Sequence, residues 1–313
     1  MRLPLCRPLE GKTMIERILI ALDGTPESER IFAEVDRVAG PDTKFDLLHV
    51  LERSPREIPG VGPMVADRAR PYLENIARRL PGKDVRIHLR SGDPEVEIPK
   101  AAQNLGPDLI ALTTHARRGL SRLFLGSVAE TIVRRTSRPV LLTRPDLSRP
   151  RRPLERILVP IDGSPESKQV FNSVSLMARH SQVEIILLQV VVNLIVVDPL
   201  AGPGPISAID LVPDPTPSLR ASAARLEREG IQARAMVVFG GAADQILEQA
   251  RLLDVDLIAM ASTARKGLAR AFSSSVSFKV LRHADRAVLL HRSDPYAESG
   301  VEVNALHVQD EEG

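Results

Sequence analysis

The chain has 313 residues, 43% hydrophobic and 26% charged, which is enough for two globular domains of roughly 150 residues each. Lys and Arg number 42 against 40 Asp and Glu, and aromatics are only 3% with no Trp, so neither a basic nucleic-acid face nor a base-stacking platform is expected. The single Cys6 excludes an internal disulfide and a cysteine-rich zinc site, and no apolar run reaches the ~20 residues of a membrane-spanning helix.

Residues 1–13 carry too short an apolar stretch for a secretory leader, and we expect a disordered extension or a misassigned start ahead of Met14. Short, almost wholly apolar runs then alternate with amphipathic ones. Strands are expected at 16–22, 44–51, 84–89, 108–113 and 139–143, and helices at 26–39, 64–80, 94–105 and 124–136. An Arg/Pro-rich linker follows. Strands recur at 156–161, 183–192, 233–238, 256–261 and 286–291. Apolar strands alternating with helices imply a parallel sheet covered on both faces.

The second set of elements is a copy of the first. Residues 16–32 recur at 155–171, and residues 108–144 recur at 256–292. The offset grows between these matches, which places an insertion before Gly240. The Pro-, Gly- and Asp-rich stretch 198–217 fits it and is expected to be irregular. The expected fold class is α/β, two tandem doubly wound parallel-sheet domains. The expected boundaries are an extension (1–13), a first domain (14–145), a linker (146–153), a second domain (154–292) and a disordered or loosely docked tail (293–313).

In such folds ligands sit beyond the carboxyl ends of the strands. The first strand ends in Asp23-Gly24-Thr25-Pro26, repeated as Asp162-Gly163-Ser164-Pro165. Asp23 is either a ligand-facing carboxylate or a turn residue bonding nearby amides, and Thr25 with Pro26 would open the next helix. After the fourth strand, Gly126 and Ser127 precede a helix. Free amides there, with a Ser hydroxyl and the basic His115, Arg117 and Arg118, would cradle a phosphate. The alternative is that Ser127 only caps the helix.

These residues in this order resemble the universal stress protein family. The resemblance rests on residues 17–25, on the run 117–130 and on the last strand at 139–142, and it extends over both copies. It implies that fold in tandem, an adenine nucleotide alpha hydrolase-like architecture, and a cytoplasmic, non-enzymatic regulator of stress response. Members that bind ATP carry Gly-x-x-Gly, nine residues, then Gly-Ser or Gly-Thr. Here Thr113 and Ala116 replace the first two glycines while Gly126 and Ser127 remain, and the second copy reads Ala261, Ala264, Ser274 and Ser275. The resemblance therefore implies an ATP site in the first domain, with magnesium bridging the phosphates, and a degenerate second site. Ala21, Asp23 and Val50 would face the adenosine, Thr113, His115, Ala116 and Arg117 the phosphates, and Gly126, Ser127 and Val128 would close the site. The second-copy counterparts are Pro160, Asp162, Val190, Ala261, Ala264, Ser275 and Val276.

The resemblance also implies pairing through last strands, so that 139–142 and 287–290 would make an intrachain pseudo-dimer. A further homodimer and a regulatory protein partner stay open. A nucleotide-independent scaffold is the second reading. An ATP-hydrolysing or adenylate-forming enzyme is disfavoured. The loop after the first strand lacks the Ser-Gly-Gly form, and there is no Gly-x-x-x-x-Gly-Lys, Gly-x-Gly-x-x-Gly or Gly-x-Ser-x-Gly motif.

Overall fold

The structure is a computed structural model. It describes residues 12–52, 61–114, 126–147, 152–179, 182–192, 195–196, 206–207, 216–263 and 275–293. The strands are β1 (Arg17–Leu22), β2 (Lys44–Leu51), β3 (Val85–Ser91), β4 (Leu109–Thr113), β5 (Val140–Thr143), β6 (Arg156–Pro160), β7 (Glu184–Val191), β8 (Ile195–Val196), β9 (Ile206–Ser207), β10 (Ala233–Phe239), β11 (Leu257–Thr263) and β12 (Ala287–Ser293). The helices are α1 (Phe32–Val38), α2 (Val61–Arg78), α3 (Pro94–Leu105), α4 (Ser127–Arg135), α5 (Pro165–Lys168), α6 (Val170–Ala178), α7 (Thr216–Arg228), α8 (Ala242–Leu252) and α9 (Val276–His283).

Ten strands form one continuous sheet in the order β10-β7-β6-β11-β12-β5-β4-β1-β2-β3. Every neighbouring pair is parallel except β12 with β5, which are antiparallel. Each half thus has the order of one α/β unit, and the two halves meet at their last strands. Alternation along the central strands explains the two cores. Ile18, Ile20 and Leu22 of β1 enter one apolar cluster, while Leu19 and Ala21 enter the other on the opposite face. Both clusters contain residues from both halves, so the cores run through the junction.

At that junction Leu141 lies opposite Leu289, flanked by Val140–Leu290 and Leu142–Val288, and all six side chains are buried. A pair of arginines repeats the symmetry. Arg144 donates to the carbonyls of Arg282 at 2.8 Å and Ala284 at 3.4 Å, at the carboxyl end of α9. Its counterpart Arg292 donates to the carbonyl of Arg134 near the end of α4. Each cation satisfies a carbonyl left unpaired at a helix terminus, where the helix dipole is negative. The intrachain pairing expected from the last strands is what the sheet contains.

Three expectations need correction. Residues 12 and 13 are not part of a disordered extension: Lys12 donates to Asp108 at 2.8 Å and Glu16 at 2.9 Å, as Arg152 does to Asp256 at 2.7 Å in the second half. A basic residue ahead of the first strand thus reaches the matching aspartate in both halves, although Lys12 and Arg152 are one position out of register in the repeat. Second, 198–217 is not wholly irregular. Ile206–Ser207 pairs antiparallel with β8, and α7 already begins at Thr216; the rest of that stretch lies outside the described residues. Third, Pro26 does not open a helix. Residues 26 and 27 form a turn, a 3-10 segment follows at Ser28–Ile31, and α1 starts only at Phe32. The expected tail 293–313 lies outside the described residues after Ser293.

Candidate functional site

The chain crosses from β1 to β2 and β3 on one side, then returns to β4 on the other side of β1. The crevice at the carboxyl ends of β1 and β4 is therefore a topological switch point, the usual ligand position in an open α/β sheet. β6 and β11 make the equivalent point in the second half.

The turn after β1 is fixed from within. The Asp23 carboxylate accepts from the Thr25 amide at 2.9 Å and the Thr25 hydroxyl at 2.6 Å, and the Thr25 hydroxyl accepts from the Ser28 amide at 3.3 Å. Gly24 takes φ +87°, where a β-carbon would be strained even though it would meet only His49 at 3.6 Å. The second half repeats this arrangement, with Asp162 bonded by the Ser164 amide at 3.0 Å and hydroxyl at 2.6 Å and with Gly163 also at φ +87°. Partial burial works against the Asp162 charge, but the bonds from Ser164 outweigh it and hold the carboxyl below its ordinary range. Asp23 and Asp162 thus each hold the turn at a strand end, with part of the side chain open to solvent.

Two residues missed by the sequence reading lie beneath the first turn. His49 of β2 bonds the Leu22 carbonyl through Nδ1 at 2.8 Å, so that nitrogen carries the proton. Its ring meets Tyr72 of α2 edge-on, with centroids 6.3 Å apart. Burial pushes the Tyr72 phenol up to about 12, with Ser28, Glu29 and Asp23 nearby. In the second half Gln189 lies by Gly163 as His49 lies by Gly24. The signal available in the sequence was a histidine in the apolar second half of the strand, between Leu48 and Val50.

Ala21 and Val50 share one apolar cluster at the strand ends, and Val128 packs against it from the start of α4. These three residues therefore lie on one face of the sheet, within an apolar cluster that runs through both halves. Thr113 is buried and its hydroxyl donates to the Ser28 carbonyl at 3.1 Å, so the proton proposed for a phosphate is spent inside the chain. Thr114 likewise donates to the Thr143 carbonyl, from its amide at 2.8 Å and its hydroxyl at 3.2 Å. His115, Ala116, Arg117 and Ala264 lie outside the described residues.

The two halves differ where their last helices begin. Gly126 is the N-cap of α4 with no side-chain bond, and Ser127 is already the first helical residue. It is therefore not the cap. In the second half the boundary shifts by one: Ser275 is the cap of α9, and its hydroxyl accepts from the Phe278 amide at 3.4 Å. Val276, the counterpart of Val128, is 37% exposed. Pro160 is buried at the end of β6, while Val190 and Ala261 are half-buried. Among the described residues no group of three His, Cys, Asp or Glu could hold a metal ion, and no helix is long and apolar enough to cross a membrane.

Comparison with known proteins fits this architecture. The sequence profile of the universal stress protein family matches residues 14–144 and again 153–292. A protein of Staphylococcus haemolyticus named as a universal stress protein is 31% identical over 139 residues, covering 41% of this chain and 84% of that one. A universal stress protein of Methanocaldococcus jannaschii is 32% identical over 82 residues, 26% of this chain and 51% of its own. The crystal structure of a universal stress protein from Archaeoglobus fulgidus superimposes with a TM-score of 0.68 at 18% identity, covering 88% of this chain and 98% of that one, and shows the shared fold.

Proposed function

Because the chain belongs to the universal stress protein family, in tandem form, we propose that it is a non-enzymatic regulator of stress response that binds an adenine nucleotide such as ATP in its first half only. The observation that carries this reading is the difference between the two helix starts. Gly126 leaves the first amides of α4 without a side-chain partner, on the helix that follows β4 in the chain. Such amides, at the positive end of the helix dipole, suit a phosphate. In the second half the Ser275 hydroxyl already occupies that role. Ala21 and Val50 would face the adenosine, His115, Ala116 and Arg117 the phosphates, and Gly126, Ser127 and Val128 would close the site. A bound magnesium ion would neutralise phosphate charge; its ligands would come from the nucleotide and water.

Calorimetry of the intact protein with ATP and magnesium tests this. We expect one site per chain, weakened about tenfold or more by Ser127→Tyr, which would fill the helix start, and little changed by Ser275→Ala. No heat and no competition at millimolar ATP would remove the nucleotide from the proposal. The second reading, a nucleotide-independent scaffold, is favoured by one observation: Asp23 and Thr113 are both engaged by their own chain. Mass spectrometry of gently purified protein separates the two, since only a binder retains nucleotide.

A further inference from the structure

The sheet ends on two strands, β3 and β10, and their sequences differ in the way that matters for association. An open strand edge offers unpaired amides and carbonyls, and charge on it discourages pairing. β3 carries Arg86, His88 and Arg90 at alternate positions. Antiparallel self-pairing centred on His88 would set the exposed Arg86 against Arg90 twice, a repulsion that Glu97, 3.4 Å from Arg90, only partly offsets. β10 reads Ala-Arg-Ala-Met-Val-Val-Phe, and its one charge, Arg234, is held by Glu184 at 2.6 Å. Self-pairing centred on Met236 would set Arg234 against Val238, Ala235 against Val237 and Ala233 against Phe239. No like charges meet. Phe239, 48% exposed where β10 ends, would gain a small neighbour.

Beside this edge α7 leaves a groove of about 480 Å³, lined by Arg220, Ala223, Ala224 and Glu227 from the helix and by Ala233 and Ala235 from the strand. The helix face is self-complementary. Arg220 and Glu227 stand symmetrically about the pair Ala223–Ala224, so a two-fold axis through that pair sets each arginine against a glutamate of the other copy. Arg220, Ala224 and Glu227 are exposed, and neither charge has an ion-pair partner among the described residues. Two-fold interfaces require this kind of self-complementarity.

We propose that two copies of the chain associate through β10 and α7, with β10 antiparallel to its equivalent and Arg220 paired with the partner's Glu227. The alanines let the helices approach, and the exposed Phe239 closes over the partner's Ala233. The sheet would then continue through the dimer, with only the arginine-guarded β3 edges left open.

Sedimentation of the full chain tests the proposal, with circular dichroism confirming that each variant is folded. We expect a dimer. R220E and E227R should each raise the dimer dissociation constant about tenfold or more, and the double variant R220E/E227R should recover the wild-type value. Phe239→Lys should give monomer. A wild-type monomer at the highest soluble concentration would overturn the proposal. So would a dimer indifferent to both single charge reversals, or single effects that the double exchange fails to reverse. Capture of an extended peptide on β10 by a chain that stays monomeric would also count against it.

Discussion

His291 is the residue whose chemistry departs furthest from its surroundings. It lies on β12 with Nδ1 3.0 Å from the Ser173 hydroxyl, and burial alone pulls its pKa from 6.5 to about 4. The folded chain therefore keeps it neutral while the unfolded chain protonates it. Its contribution to stability is full above pH 6.5 and is lost as pH falls toward 4, by about 3 kcal/mol at most. Asp162 and Asp256, whose pKa values lie below the ordinary 3.8, lose their contributions only at lower pH. Urea unfolding should thus show a fall in stability between pH 6.5 and about pH 4.5, and His291→Gln should flatten it. A wild-type midpoint that stays constant over that interval would contradict the assignment. At this scale the sequence was only partly legible. The Asp-Gly turns could be read, because glycine at positive φ and a side-chain acceptor are local devices. The engagement of Thr113 by Ser28 and the placement of His49 against Leu22 could not, since they join residues 85 and 27 positions apart.

The elements that join the halves act through few groups. Arg144 and Arg292 occupy matching positions, and each reaches across the junction to the end of the other half's last helix. Hydrogen bonds from a charged donor contribute about 1.5–3 kcal/mol each, so Arg144→Ala and Arg292→Ala should each lower unfolding stability by that order. Chemical denaturation checks this, and loss from only one of the two would show that the apparent symmetry is not energetic. A further tie has no symmetric counterpart. Arg37 of α1 lies 2.7 Å from the buried Asp256 of the second half, whereas the position 139 residues after Arg37 is Leu176. The ten strands of the main sheet were legible to within two residues because an apolar run between turn signals is a local property, whereas the two-residue β8 and β9 were not. Helix starts were less so, and for a stated reason. Pro26 suits a first helical position, but the bonds of Thr25 to Asp23 and Ser28 hold the chain in a turn that delays α1 to Phe32. Likewise, the identical roles expected for Ser127 and Ser275 separate because the cap shifts by one residue.

At the scale of the molecule, the duplication resolves a problem that a single half would face. β5 is short, fully buried and wholly apolar apart from Thr143, and it carries no charge to repel another strand. In the intact chain β12 covers it, and the cores on both faces run through the junction. A fragment of residues 12–147 would retain β1 to β5 with their helices but expose that edge along with the flanking apolar surface. Residues Val140, Leu141 and Leu142 can pair with their own equivalents in the antiparallel sense already used with β12, since the register centred on Leu141 sets Val140 against Leu142. The isolated fragment should therefore form a homodimer through β5, and Leu141→Lys should make it monomeric or unfold it. The same substitution in the full chain sets a buried charge against Leu289 and should cost several kcal/mol. Sedimentation of the fragment, with circular dichroism as the control for folding, decides the matter. A folded, monomeric wild-type fragment would show that covering β5 is not what the second half contributes. A dimer lost on Leu141→Lys with secondary structure intact would show that the second half replaces a second copy of the first.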